Sequence, residues 1–136
     1  MSRPDPEIGQ IILFEYLWAR EEAEGARDGR KDRPCAVVVA VRKQPDGEPW
    51  VVLVPITHSA PTDPGDAVSL PLGARAGTGL DDQPGWIMLN EANYVAWSDP
   101  RVRPTRSGAW LLGWLPRRLA RQTADRIKER LRKRAM

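Results

Sequence analysis

Four side chains carry most of the chemistry this chain has to offer. Arg33 stands at the head of the apolar run Pro34-Cys35-Ala36-Val37-Val38-Val39-Ala40-Val41. Thr57 and His58 close a second run that begins at Trp50, and Glu91 lies in Leu89-Asn90-Glu91-Ala92-Asn93. A guanidinium neutralises phosphate oxygens in a bidentate fork, and a hydroxyl donates a hydrogen bond to them. An imidazole or a carboxylate can take a proton. Together these are tools for binding an anion and moving protons around a phosphodiester. Each has a plainer reading beside it: an arginine at a strand end can simply solvate the edge, His58 can be a hydrogen-bonded surface residue, and Glu91 can be a solvated acid leaving a strand. The chain lacks a glycine-rich phosphate loop of the P-loop or dinucleotide type and has no serine nucleophile elbow. With one histidine and one cysteine, a metal site would have to be built mostly from carboxylates, so neither a metal nor a cofactor is expected.

These residues need rigid elements to hold them. Ala36–Val41 has no charge and is rich in β-branched residues, which predicts a strand covered on both faces, with Pro34 as its first residue and Arg33 held extended before it. Lys43-Gln44-Pro45-Asp46-Gly47-Glu48-Pro49 is a turn with Asp-Gly at its centre, and residues 50–57 form the next strand. A hairpin of these two strands brings Thr57 near Arg33 on one rim and predicts that the two face the same surface pocket. Residues 7–18 predict a first strand. Residues 19–32 are small or charged and predict a long mobile loop, with a helical turn at Ala19–Ala26, that delivers the chain to Arg33. Ala67–Pro71 is a short alternating strand, and residues 72–85 are a glycine-rich connection. Residues 86–97 form either one strand leaving the core or two strands broken at Glu91. A last apolar segment, Ala109–Leu115, precedes Pro116, which suits the first turn of a helix. In that helix Leu115, Leu119, Ile127 and Leu131, with Ala120 and Ala124 between them, mark one face.

A length of 136 residues fits a single domain, 1–136, with a real core. Thirteen prolines and eleven glycines argue for many short elements and tight turns, the look of a small β-rich domain. The lone Cys35, inside an apolar strand, rules out a disulfide framework and fits a reducing cytoplasm. No segment resembles a signal peptide or a membrane span. The net charge of +3 hides an asymmetry. Residues 1–100 carry 9 Lys and Arg against 16 Asp and Glu, a net of −7, while residues 101–136 carry 12 against 2, a net of +10. Such a basic end can serve nucleic acid, an acidic partner or solubility.

Three motifs also carry a family resemblance: Ile8-Gly9-Gln10-Ile11 on the first strand, Lys31-Asp32-Arg33-Pro34 before the valine run, and Val54-Pro55-Ile56-Thr57 after the hairpin. With Leu89-Asn90-Glu91-Ala92-Asn93-Tyr94-Val95-Ala96-Trp97 they resemble the MazF/PemK family of toxin–antitoxin endoribonucleases over most of residues 8–97. The resemblance implies a small SH3-like, partly open antiparallel β-barrel (core about 8–115) with a C-terminal helix (about 116–134), usually homodimeric and held by a cognate antitoxin protein. It implies metal-independent cleavage of single-stranded RNA through the 2′-hydroxyl to a 2′,3′-cyclic phosphate. The family's catalytic arginine and threonine match Arg33 and Thr57. His58 and Glu91 stand as candidates for the proton-transfer role, and Arg30, Lys31, Ser59 and Asn93 as substrate-binding neighbours. After Thr57 the chain departs from the family pattern with His58-Ser59-Ala60-Pro61, and a non-catalytic protein- or RNA-binding module on the same barrel stays open as the alternative.

Overall fold

The computed structural model describes residues 3–16, 31–42 and 47–135. Among them are eight strands, β1 (Gln10–Tyr16), β2 (Lys31–Arg42), β3 (Pro49–Thr57), β4 (Ala67–Leu70), β5 (Gly85–Met88), β6 (Asn93–Ala96), β7 (Val102–Arg103) and β8 (Gly113–Trp114), followed by one α-helix, α1 (Arg117–Ala135). The strands pair antiparallel in the order β4-β5-β3-β2-β1-β7, with β6 also on β3 and β8 also on β1. Two strands change partner along their length. β3 pairs β6 from Trp50 to Leu53 and β5 at Ile56 and Thr57, while β1 pairs β8 at Gln10 and Ile11 and β7 at Leu13 and Phe14. A sheet joined in this way curls, and the outcome is the expected mainly β class: a partly open barrel with a C-terminal helix.

β2 lacks charge in its middle because both of its faces are covered. Ala36 and Val38 join Ile11, Val54, Ile56 and Ile87 in a core beneath α1, whereas Cys35 and Val37 join Ile12, Phe14, Leu53 and Trp97 on the opposite face. This is the period of two expected of a pleated strand. The ladder between β2 and β3 contains one irregularity. It runs Arg42↔Pro49 to Val39↔Val52, then resumes at Val37↔Leu53, leaving Val38 as the extra residue of a β-bulge.

Several boundaries differ from the sequence expectation. Lys31 and Asp32 belong to β2 and not to the loop, since they pair Tyr16 and Glu15, and this makes Pro34 the fourth residue of the strand. The rest of that loop, with its proposed helical turn and Arg30, lies outside the described residues, as do residues 17 and 18 of the first strand and 43–46 of the hairpin turn. Residues 86–97 form two strands, separated by a 3-10 turn at Leu89–Glu91. β7 was not anticipated, and of the apolar stretch Ala109–Leu115 only Gly113–Trp114 is a strand.

In α1 the buried stripe is Ala120, Thr123, Ala124 and Ile127, whereas Leu119 is half-buried and Leu131 is exposed. Thr123 is tolerated there because its hydroxyl donates back to the Leu119 carbonyl at 2.8 Å. Alanines on this stripe allow close approach: Gly9, at φ +100, would place a Cβ 3.3 Å from that of Ala120. Part of the basic C-terminal block is structural. Arg126 donates to the carbonyls of Ala67 (3.1 Å) and Gly65 (2.7 Å), and Arg130 bonds the Asp66 carboxylate (3.1 Å). No helix among the described residues is long and apolar enough to cross a membrane.

Candidate functional site

The site lies where the β2–β3 ladder ends. Neither Pro34 nor Pro55 has an N–H to give to a ladder, and the last paired residues are Cys35 and Pro55. Continuing the register by two residues sets Arg33 opposite Thr57, on the same face because their positions match. Both side chains line one pocket of about 310 Å³, together with Ser59, Asn90 and Glu91, and with Met88 and the 60–62 and Asp66 wall around them. The bulge at Val38 is what aligns them. A regular ladder counted from Arg42↔Pro49 would put His58, not Thr57, across from Arg33.

Each group arrives with defined partners. Thr57 Oγ1 accepts the Ser59 backbone N–H at 3.1 Å, which leaves the hydroxyl proton to donate elsewhere. Arg33 is half-buried and faces Phe14 across the β1–β2 pair. It also acts on Cys35: burial drives the thiol far above its usual range, and the guanidinium opposes that shift only in part. Glu91 ends the 3-10 turn between β5 and β6, half-buried, and accepts a hydrogen bond from the Tyr16 hydroxyl. Asn93 stands behind it, its side-chain amide donating to the Glu91 carbonyl at 3.3 Å. Asp66 is neutralised by Arg130 at the pocket wall. The result is a cavity lined by the Arg33 guanidinium, the Thr57 hydroxyl and the Glu91 carboxylate, groups able to hold an anion and accept a proton beside it.

The structure thus brings together Arg33, Thr57, Ser59 and Glu91 from the sequence candidates, with Asn93 as a supporting neighbour. His58 is not among the residues lining this pocket. One residue beyond Thr57, it points to the other face, where Nδ1 lies 2.9 Å from the Pro84 carbonyl and Nε2 lies 2.8 Å from Asp81 Oδ2. A carbonyl only accepts, so Nδ1 carries a proton. The Pro84 contact first, and the Asp81 carboxylate next, raise the imidazole above its ordinary value, with desolvation and then Arg75 acting against them. Two acceptors favour the imidazolium, which is the wrong state for a base; His58 ties the 81–84 segment to the end of β3. Arg30 lies outside the described residues, and Lys31 is placed only by its backbone pairing with Tyr16. Tyr16 was missed because its strand reads as apolar, and nothing in the local sequence marks its hydroxyl as part of a site formed some 75 positions away.

A larger groove of about 650 Å³ runs along α1, floored by Leu115, Ala120 and Ala124 and flanked by Trp114, with charges of both signs at its rim: Arg117, Arg121 and Lys128 against Glu7 and Asp125. It has no hydroxyl or imidazole to match the smaller pocket. Among the described residues, no three His, Cys, Asp or Glu are grouped to hold a metal ion. Compared with known proteins, the chain matches no protein-family model and no curated protein.

Proposed function

We propose that this chain is a metal-independent endoribonuclease of the type II toxin–antitoxin kind, cutting single-stranded RNA to a 2′,3′-cyclic phosphate and a free 5′-hydroxyl. The observation that carries this reading is the convergence of Arg33, Thr57 and Glu91 on one pocket. In it the 2′-oxygen attacks the adjacent phosphorus and the 5′-oxygen leaves. Arg33 neutralises the charge that builds on the non-bridging oxygens, which is where a preformed donor lowers a barrier most. Thr57 donates its free proton to one of those oxygens. Glu91 takes the 2′-hydroxyl proton, and the leaving oxygen is protonated by solvent. The resemblance of the motifs around Arg33 and Thr57 to the MazF/PemK family supports the same reading and extends it to a homodimer and a cognate antitoxin. Incubating purified protein with a mixed-sequence RNA in EDTA tests it: cut fragments ending in cyclic phosphate are expected, and an intact RNA at every sequence overturns it.

The second reading, a non-catalytic protein- or RNA-binding module, draws on the net −7 of residues 1–100, which works against a polyanion. It is favoured if the protein retains RNA on a gel without cutting it, or retains none and captures a protein instead. Light scattering of the purified protein measures the expected homodimer.

A further inference from the structure

The pocket is backed by a titratable side chain that the reaction above does not use. Tyr16, only 3 % exposed, projects from the end of β1, and its hydroxyl oxygen contacts two acceptors of the same residue: the Glu91 carboxylate oxygen Oε2 and, at 3.0 Å, the Glu91 main-chain carbonyl. A phenol has a single proton, and a carbonyl has none to give. Two arrangements satisfy this geometry. With Glu91 ionised, the phenol proton points at Oε2. With a proton on Oε2, the carboxyl group donates to the phenol oxygen, and the phenol proton turns to the main-chain carbonyl. The two states differ in one proton and one hydroxyl rotation, and neither leaves a buried polar atom of the pair without a partner, which is the condition that makes a buried network tolerable.

We infer that Tyr16 is a positioning residue that holds Glu91 ready both to take and to keep the substrate's proton, so that Glu91 is the general base of the site. The inference rests on the ribonuclease reading. In the step, the 2′-hydroxyl proton passes to Glu91, the 2′-oxygen bonds to phosphorus, the bond to the 5′-oxygen breaks, and that oxygen takes a proton from water. Glu91 then releases its proton to solvent.

The surroundings keep Tyr16 in the required form. Burial first, then the hydrogen bond to Glu91, hold the phenol's ionisation far above its ordinary range, against a smaller opposite influence from the Asn93 amide. The phenol is therefore a donor throughout the working pH range. From β2, Cys35 faces the pair as a neutral buried thiol and Arg33 as a permanent cation, with Lys31 opposite Tyr16 in the register. Asp66, paired with Arg130, also lines the pocket. Among the described residues Asp66 is the other carboxyl of the pocket wall, so Asp66→Asn is the control for it.

The test is the pH–rate profile of RNA cleavage by the full chain and by Tyr16→Phe, which keeps the buried ring and removes the hydroxyl. Losing a charge-assisted donor disfavours the carboxylate, so the acidic limb moves to higher pH by about one unit, roughly a tenfold loss on that limb. Glu91→Gln removes the base and lowers the rate by about a hundredfold or more. In that background Tyr16→Phe has nothing left to act through and adds no further loss. A residue that merely staples β1 to the Glu91 turn would lower the thermal midpoint and scale the whole profile without moving its limb. A Tyr16→Phe profile that superimposes on wild type after scaling, or a limb that moves equally in Asp66→Asn, overturns the inference and leaves the ribonuclease reading standing. RNA left intact by the wild-type protein overturns both.

Discussion

Replacing Arg33 by alanine separates the catalytic reading from the binding-module reading most directly. The side chain lines the pocket beside Thr57 and Glu91, and the register sets it across from Phe14 at the N-terminal end of β2. Its charge meets the phosphate only as charge builds there, so truncation removes transition-state stabilisation of about 3 kcal/mol, near a hundredfold in rate. The hydroxyl of Thr57 and the carboxylate of Glu91 remain, which leaves a measurable residual rate. Stability changes far less. Arg33 is half-buried near the start of β2, outside both apolar cores, and shortening such a side chain costs about 1 kcal/mol. Arg33→Lys restores charge without the planar fork and recovers about tenfold of the loss. The assay is single-turnover cleavage of a mixed-sequence RNA in EDTA, with a 2′-deoxy substrate as the uncleavable control and thermal unfolding measured on each variant. An Arg33→Ala protein that cuts as fast as wild type refutes the assignment, and so does cleavage of the deoxy substrate.

Two further outcomes follow from contacts outside the pocket. His58 is protonated more readily in the native state than in the unfolded chain, so the stability it lends to the 81–84 segment is complete below the ordinary imidazole range and is lost as pH rises through the elevated native value. Amide exchange in that segment should therefore accelerate as pH rises above about 6.5, beyond the intrinsic base-catalysed rise, and His58→Ala should remove the excess. Equal excess in both proteins would count against the clamp. Arg126→Ala strips the Ala67 carbonyl of its charged donor, while Gly65 keeps Arg130 at 3.2 Å. A loss of about 1.5 kcal/mol, or about 5 °C in thermal midpoint, is expected, and an unchanged midpoint would show that the contact contributes nothing.

The secondary structure was largely legible because it rests on local patterns. The valine run of β2, the strand ending in Pro55-Ile56-Thr57, the short β4 and a helix beginning just after Pro116 were each marked by apolar period or proline position, and each is present. The short strands β7 and β8 were harder to see. Each has two residues and owes its existence to pairing with β1, so propensity alone carries almost no signal for them. The buried stripe of α1 was read in part. The alanines and Ile127 were recognised, but Thr123 is buried on that stripe whereas Leu131 is exposed.

The residues of the site were visible one by one, while their selection was not. Arg33, Thr57, His58 and Glu91 follow from chemistry at the ends of apolar runs, and hairpin connectivity alone brings the end of β3 near the start of β2. Which of Thr57 and His58 meets Arg33 depends on a single residue of register, since side chains alternate and a slip of one exchanges the faces. That residue is Val38, whose bulge looks like any other valine of the run. The pairing of Tyr16 with Glu91 depends likewise on how far the sheet curls, because it joins the end of β1 to a turn beyond β5. Apolar patterns act between neighbours in the chain and so determine the elements. Register, curl and the meeting of distant polar groups are set by packing among elements, and only the folded chain decides them.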